Sequence, residues 1–193
     1  MLIRLANLPD LNLCLALDAD SQTDHVWQME EREEREGIVV RFQTVRLPRV
    51  MRVTYPRDRE DLLLSWQNGS TILVASEPPE PETDVEWAEP TESHEPASVY
   101  AYCQLDIAEW QRTGWVNHLI VDRRMRRRGI GTELMKASMA WARYKQLQRL
   151  MVVVQTKNYP GISFCQKHGF SFCGFNDRYY PNRDIALFFA LNI

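Results

Sequence analysis

The sequence has no long apolar run, no paired-cysteine motif and no internal repeat, and each absence argues against a class of protein. No stretch approaches the ~20 apolar residues that a membrane-spanning helix requires. The cysteines are Cys14, Cys103, Cys165 and Cys173. They lack CxxC spacing and an accompanying histidine cluster, so we expect buried thiols and no metal site. Because the first residues lack the apolar core of a signal peptide, we expect a cytoplasmic protein.

Charge is unevenly distributed along the chain. The formal net charge is -3, yet residues 77–96 hold eight acidic residues, five prolines and no lysine or arginine. The rest of the chain is therefore mildly basic. We expect residues 77–97 to form a solvated acidic loop, or alternatively a negative rim that attracts cationic amines. The length favours one domain over residues 1–193, with a core large enough to need no disulfide.

The most informative segment, residues 115–136, combines a strand, a cationic turn and a helix. An apolar run ends at Val121, and arginines occupy five of the six positions 123–128. Gly129-Ile130-Gly131-Thr132 follows, and from Leu134 onward apolar residues recur at helical spacing. Glycines allow close backbone approach, and a helix start presents unpaired N–H groups and a positive dipole end. Together with the arginines, these groups predict a site for a polyanion such as a pyrophosphate.

Arginine runs of this kind also bind nucleic acid, so RNA or DNA is an alternative ligand. The aromatic residues, however, fall at the strand and helix spacing of a core, and the overall charge is negative. We therefore expect no nucleic-acid partner. An RNA-binding function predicts a steep salt dependence that is lost when Arg126, Arg127 and Arg128 are replaced.

Two motifs resemble those of the GNAT superfamily of N-acetyltransferases. The first is Arg126-x-x-Gly129-x-Gly131 after a strand that ends in Leu-Ile-Val-Asp, which is similar to the family's acetyl-CoA signature. The second, residues 158–170, resembles the family pattern N-x-x-A-x-x-[LF]-Y-x-x-x-G-F. The resemblance covers residues 98–191 well. It implies an α+β fold with a mixed, mostly antiparallel central sheet and helices on both faces.

The resemblance also implies acetyl-CoA as the cosubstrate. Backbone N–H groups from Arg127 to Thr132 would hold the pyrophosphate, with Arg126 and Arg128 as countercharge. The strand before them would pair with the pantetheine arm and polarise the thioester carbonyl through one main-chain N–H. The implied cofactor-binding residues are Leu119, Val121, Arg126, Arg127, Arg128, Gly129, Ile130, Gly131, Thr132 and Asn158.

The catalytic residues are harder to assign, because the sequence departs from the family pattern. Cys165 stands where the family has a tyrosine acid, so it is either a proton donor or a core thiol; a leaving thiolate with a pKa near ~8.5–9.5 can also depart without an acid. For the base, strand positions in phase with Val121 offer Asn117, which could position a water. His118 is one residue out of phase, so we predict that it faces the other side of the sheet. Tyr180 is the candidate from the acceptor pocket. Further candidates are Asp106, Asp177 and Tyr179.

The N-terminal half matches the family only loosely. Residues 25–36 are strongly charged and predict either a helix end or an extended segment. Residues 37–55 predict two strands interrupted at Leu47-Pro48, where the simple family layout has helices. We interpret residues 37–55 as an added hairpin that flanks the acceptor site or supports a homodimer.

The sequence therefore favours an acetyl-CoA-dependent N-acetyltransferase acting on a primary amine of a small molecule or peptide. The block that begins at Gln155 is also similar to the streptothricin acetyltransferase branch, which implies a lysine-like or other aliphatic amine as acceptor. The alternative function is a catalytically silent module that binds CoA and acts through protein association. This alternative is favoured because the sequence lacks the family's tyrosine acid and lacks a carboxylate base at the expected strand positions.

Overall fold

A computed structural model describes residues 1–78 and 98–193, so the predicted acidic loop at residues 77–97 lies almost entirely outside the described residues. The described strands and helices are, in chain order, β1 (Leu2–Leu5), α1 (Leu8–Ala16), β2 (Ser21–Glu34), β3 (Gly37–Val53), α2 (Leu62–Gln67), β4 (Thr71–Ser76), β5 (Val99–Ala108), β6 (Thr113–Val121), α3 (Ile130–Tyr144), β7 (Arg149–Gln155), α4 (Tyr159–Lys167), β8 (Ser171–Asn176) and β9 (Ala186–Asn192).

Seven strands form a central sheet in the order β1-β4-β5-β6-β7-β9-β8. Every neighbouring pair is antiparallel except β6 and β7, which run parallel. The crossover between those two strands contains α3, as a parallel connection requires. The prediction of a mixed, mostly antiparallel sheet in an α+β fold is confirmed.

Two hydrophobic cores lie on opposite faces of this sheet. In β4, Leu73 and Ala75 pack in the core that contains α3 and α4, whereas Ile72 and Val74 pack in the core that contains α1 and α2. This alternation is the two-residue period of a strand that is buried on both faces. The apolar residues of α3 recur at intervals of three or four and face the first core. The helices therefore cover both faces of the sheet.

Residues 21–53 form a separate two-stranded sheet, β2 with β3. Residues 25–34 are thus extended, and β3 is one long strand that pairs with β2 rather than folding back on itself as predicted. The predicted break at Pro48 corresponds to a register shift, because Thr23 pairs with Met51 and His25 pairs with Arg46. Pro48 is tolerated because it lies between those two pairs, where no ladder hydrogen bond is needed.

The hairpin is attached to the central sheet through aromatic side chains. The Trp27 and Phe42 ring centroids lie 6.2 Å apart, and Phe42 packs at steep angles against Phe172 at 5.4 Å and Phe175 at 5.3 Å. The backbone N–H of Trp27 also donates to the Thr156 carbonyl at 2.9 Å. The opposite end of the hairpin, residues 31–39, is exposed along its whole length.

Candidate active site

The strands β6 and β7 diverge at the middle of the sheet. β6 pairs with β7 only over residues Thr113–Val116, which lie opposite Arg149–Val152, although β6 continues to Val121. Past that point Leu119 and Val121 have no partner in β7. A splayed pair of parallel strands leaves backbone donors and acceptors that can pair with an extended ligand arm.

The turn after β6 leads directly into α3. Arg127 and Gly129 both have left-handed backbone conformations, with φ of 64° and 86°. Gly129 is the N-cap of α3, and no side chain of the described residues caps this helix. The first N–H groups of α3 therefore remain for an anion. A Cβ at Gly129 would meet nothing within 4 Å, whereas one at Gly131 would lie 3.5 Å from Val121 and Phe164.

Arg126 is held by backbone carbonyls, whereas Arg127 and Arg128 are exposed. The Arg126 guanidinium donates to the Val121 carbonyl at 2.9 Å, the Asp20 carbonyl at 2.6 Å and the Asp18 carbonyl at 2.9 Å. The sequence predicts Arg126 as countercharge, but its donors in this structure brace the turn against the α1–β2 loop. Ile130 is buried, and Thr132 is half-buried in the first turn of α3.

A β-bulge interrupts β6 beside the divergence point. Leu105 of β5 pairs with Val116 and Gln104 pairs with His118, so Asn117 is an extra residue. The bulge changes the face on which later side chains lie, because Val116 packs in the α3 core and Ile120 packs in the α1 core. It therefore directs Asn117 and His118 towards the same face. Val121 packs against the α3 core, so His118 lies on the face opposite to it, as expected. The expectation that Asn117 shares the face of Val121, which assumed strict alternation, is wrong because of the bulge.

Both residues contact the segment between β3 and α2. The Tyr55 hydroxyl lies 2.8 Å from His118 Nδ1. Arg57 donates from one terminal nitrogen to the Asn117 carbonyl at 2.6 Å and lies 3.4 Å from the Asn117 side-chain oxygen. Tyr102 lies beneath His118, with ring centroids 6.1 Å apart. Its buried hydroxyl has no hydrogen-bond partner among the described residues.

His118 is only 8% exposed. Burial, reinforced by the positive charges of Arg57 and Arg59, lowers the pKa of His118 from 6.5 to about 4. Burial disfavours the imidazolium, and like charges disfavour it further. His118 is therefore a neutral imidazole near pH 7.

The Asn117 side chain is fixed by hydrogen bonds on the β5 side. Its amide nitrogen donates to the Asp106 carboxylate. Asp106 also accepts from the Ser70 hydroxyl at 2.5 Å and from the Gln104 amide at 3.2 Å. Asn117 is thus held between this carboxylate and Arg57.

The β8–β9 connection brings two tyrosines to the same place. The second terminal nitrogen of Arg57 donates to the Tyr179 hydroxyl at 2.8 Å. Tyr180 packs perpendicular to Tyr179 with ring centroids 5.0 Å apart, and it is 4% exposed. Burial raises the pKa of Tyr180. Tyr179 thus carries the accessible hydroxyl, and Tyr180 lies behind it.

Cys165 and Asn158 both lie at α4. The Cys165 thiol is buried in the first core, and this burial raises its pKa to about 12. Asn158 is the N-cap of α4, with its side-chain oxygen accepting from the Gly161 N–H at 3.0 Å. A Cβ at Gly161 would lie 2.7 Å from the Asn158 amide nitrogen, so this cap favours glycine there.

A cavity of about 640 Å³ opens beside Tyr55 and Arg57. It is lined by Leu15, Leu17, Asp18, Ala19, Asp20, Thr54, Tyr55, Arg57, Asp58, Arg59 and Glu60. Sequence reasoning missed Tyr55 and Arg57 because no local pattern distinguishes them from the neighbouring aromatic and basic residues. Only their position just after a long strand is a weak signal.

Within residues 1–78 and 98–193, no three His, Cys, Asp or Glu side chains are grouped as a metal site. No helix in the same ranges has the length and apolar character needed to cross a bilayer.

Known structures share this fold. A nourseothricin acetyltransferase is 20% identical, with a TM-score of 0.74, and the match covers 98% of this chain and 96% of that one. A candidate streptothricin acetyltransferase from Bacillus anthracis str. Ames, solved with acetyl coenzyme A, is 18% identical with a TM-score of 0.73 and covers 100% and 98%. The ribosomal-protein-S18-alanine N-acetyltransferase from Escherichia coli is 13% identical with a TM-score of 0.63 and covers 100% and 93%.

The chain was also compared with curated proteins and with family models. No curated protein matches it. Residues 47–170, well over half of the 193 residues, match the model of the acetyltransferase (GNAT) family. These residues include β6, the turn after it, α3 and all of α4. The chain therefore belongs to the GNAT acetyltransferase family.

Proposed function

We propose that the protein is an N-acetyltransferase that moves the acetyl group of acetyl-CoA to a primary amine of a small molecule or peptide. The observation that carries the proposal is the divergence of β6 from β7 beside the uncapped start of α3. Family membership supports acetyl-CoA as cosubstrate, and one structural neighbour was solved with it. A homodimer and a cytoplasmic location stay predictions.

The residues of the turn fit acetyl-CoA chemically. N–H groups of Gly129, Gly131 and Thr132 would bind the pyrophosphate, and the exposed Arg127 and Arg128 would add positive charge. Backbone groups of Leu119 and Val121 would bind the pantetheine arm along the open side of β6. Acetyl-CoA supplies an acetyl thioester, whose carbonyl oxygen would accept from a main-chain N–H in β6. Asn158, which caps α4, would line the other side.

The amine needs a free lone pair and a route for one proton. As the nitrogen bonds to the acetyl carbon, the carbon–sulfur bond breaks, the electron pair leaves with sulfur, and the amine releases a proton. The bulge places neutral His118 and fixed Asn117 on one face, so Asn117 would orient a water and His118 would accept the proton through it. Because the pKa of His118 is about 4, the imidazole would hold the proton only transiently and pass it on to solvent.

Cys165 and Tyr180 have more limited roles in the proposal. A thiol with a pKa of about 12 is a weak proton donor to a thiolate whose own pKa is ordinarily ~8.5–9.5. The thiolate would therefore leave without an acid, and the Cys165 side chain would serve packing. Tyr180 would pack behind Tyr179, and Tyr179 together with Arg57 would form the wall of the acceptor pocket.

The test is thiol release from acetyl-CoA against a panel of primary amines, with calorimetric titration of CoA in parallel. The panel includes aliphatic diamines and lysine-like acceptors, and we expect CoA binding and turnover of at least one amine class. The absence of both turnover and CoA binding would contradict the proposal.

A second candidate function is a catalytically silent module that binds CoA and acts through protein association. The specific observation in its favour is Cys165, a buried thiol where the family pattern has a tyrosine. This function predicts CoA binding in the calorimeter without thiol release on any amine. Turnover that is lost when Asn117 is replaced would exclude it.

A further inference from the structure

Arg57 is a half-buried cation in the candidate site with an unusual set of partners. Its three contacts are the backbone and side-chain oxygens of Asn117 and the hydroxyl of Tyr179, all of them neutral. Among the described residues, no carboxylate lies within salt-bridge distance of it. A cation removed from water is normally paired with an anion.

Other basic residues near the two cores do have such partners. Arg4 pairs with Asp10 at 2.5 Å, and Arg52 pairs with Asp20 at 2.8 Å. Arg59, which lines the same cavity as Arg57, instead donates to the carbonyl of Leu17 at 3.0 Å. Arg57 and Arg59 therefore place two positive charges around His118 without a described carboxylate partner.

The acidic residues of the cavity do not neutralise Arg57. Asp20 is occupied by Arg52 and by the Tyr55 N–H, which it accepts at 3.0 Å. Asp58 is exposed and accepts from the Glu60 N–H at 2.9 Å. Asp18 and Glu60 also line the cavity, but none of its four carboxylates lies within salt-bridge distance of Arg57.

This charge arrangement restricts the acceptor. A purely cationic amine would be repelled by both guanidinium groups when it approaches His118. The same two charges favour the free-base form of a bound amine, which is the form that attacks a thioester. An anionic group on the acceptor would offset the repulsion because it binds Arg57, and the remaining charge of Arg59 would still favour the neutral amine.

The position of Arg57 limits how far the anionic group can be from the amine. Arg57 contacts the Asn117 carbonyl, two residues before Leu119 on the open side of β6. Two residues of extended chain span about 7 Å at most, so an anion held by Arg57 lies close to the bond that reacts. The planar guanidinium suits a carboxylate, which it binds through two parallel hydrogen bonds.

Resting on the proposed N-acetyltransferase function, we infer that the acceptor carries a carboxylate within a few bonds of its amine, as in an α- or β-amino acid, and that Arg57 binds that carboxylate. Tyr179 would complete the carboxylate site through its hydroxyl, which already contacts Arg57 at 2.8 Å. Arg57 is then a specificity-determining residue.

The experiment compares free amino acids with their amides, which differ only in the carboxylate. Thiol release from acetyl-CoA is measured for the twenty amino acids, β-alanine and the matching amides. For the preferred side chain we expect kcat/KM to favour the acid over its amide by roughly 10- to 100-fold, the range of a charge-assisted hydrogen-bonded pair. Arg57→Gln should reduce this ratio to about one.

Two further variants serve as controls. Arg57→Lys keeps the charge without the planar fork, so the preference should fall only partly. Arg41→Gln removes the same charge from the exposed hairpin, and its acid-to-amide ratio should equal that of the wild type. CoA titration of each variant establishes that it is folded, and if Arg57→Gln fails to fold, Arg57→Lys decides the comparison.

Each outcome separates the inference from the proposed function. Amides acetylated as well as acids would overturn the carboxylate inference and leave the N-acetyltransferase function in place. An acid preference that persists in Arg57→Gln would overturn the assignment of Arg57. No turnover on any acceptor, with amino acids leaving the CoA titration unchanged, would overturn both.

Discussion

The two ends of the candidate site are built in different ways. The cofactor end comes from one continuous segment, residues 119–132, and its binding groups are mostly backbone N–H and carbonyl groups. The acceptor end comes from side chains far apart in sequence, namely Tyr55 and Arg57, the bulged residues of β6, and Tyr179. A backbone site tolerates side-chain changes but not changes of backbone geometry, and a side-chain site behaves in the opposite way.

The largest effect should follow from disturbing the backbone site at its glycine. Gly129→Asp places a carboxylate beside the pyrophosphate position and forces a non-glycine residue to φ 86°. We expect the dissociation constant for CoA, measured by calorimetry, to rise by about 1,000-fold, since charge-assisted hydrogen bonds are lost and repulsion is gained.

Gly69→Asp is the matched control for that variant. Gly69 has φ 94° and, like Gly129, open space around an added Cβ, but it lies between α2 and β4. It should bear a similar backbone strain without a loss of CoA affinity. Equal losses of affinity in both variants would mean that strain, not the pyrophosphate position, explains the effect.

The buried His118 at the acceptor end should make the stability of the protein depend on pH. Because the pKa of His118 falls from 6.5 to about 4 on folding, the unfolded chain binds a proton between these values that the folded protein does not. The stability that the folded protein gains from keeping His118 neutral is fully present above pH 6.5. It decreases by up to roughly 3 kcal/mol as the pH falls to 4. Urea unfolding at about pH 7.5 and about pH 4.5 should show a smaller difference for His118→Asn than for the wild type. The same difference in both proteins would refute the buried neutral imidazole.

Removing the amide at the bulge should separate catalysis from cofactor binding. Asn117→Ala abolishes the bonds to Asp106 and the side-chain contact with Arg57, so a positioned water loses its anchor. We expect turnover to fall by roughly 10- to 100-fold while the CoA dissociation constant stays within about threefold. Asn12→Ala, at an exposed position of α1, should change neither quantity. A parallel loss of CoA affinity in Asn117→Ala would show that the two ends are not separable.

The smallest effect is expected at Cys165. Cys165→Ala deletes one buried sulfur, which should cost about 1 kcal/mol of unfolding free energy through the small cavity left behind. Turnover should stay within about threefold of the wild type, because the thiol, with its pKa of about 12, is a weak acid. If turnover instead drops by about two orders of magnitude while CoA affinity is unchanged, Cys165 is a proton donor.

The contrast between the two ends also explains what the sequence could predict. Strand, arginine turn, glycine pair and helix are consecutive in residues 115–136, so local periodicity and backbone chemistry located them. The mixed, mostly antiparallel sheet and the helices on both faces followed from the family resemblance, and the structure agrees with them. A site made from one segment can be predicted from that segment.

The remaining features depend on pairing between distant segments. The bulge at Asn117 exists because β5 and β6 pair in two registers, and no property of residues 113–121 alone specifies it. Likewise, the charged residues of β2 form a strand because they pair with β3, which overrides their weak strand propensity. Arg57 reaches β6 only after the chain between them has folded, so no local pattern marks it.

Arg126 joins the two ends through its three backbone hydrogen bonds. The carbonyls of Asp18 and Asp20, which it holds, belong to the loop that lines the acceptor cavity. We therefore expect a ligand that orders the turn before α3 to order this loop as well. The binding of acetyl-CoA and the binding of the amine would then be linked. Such coupling is reciprocal, so the factor by which acetyl-CoA raises the affinity for the amine equals the factor by which the amine raises the affinity for acetyl-CoA.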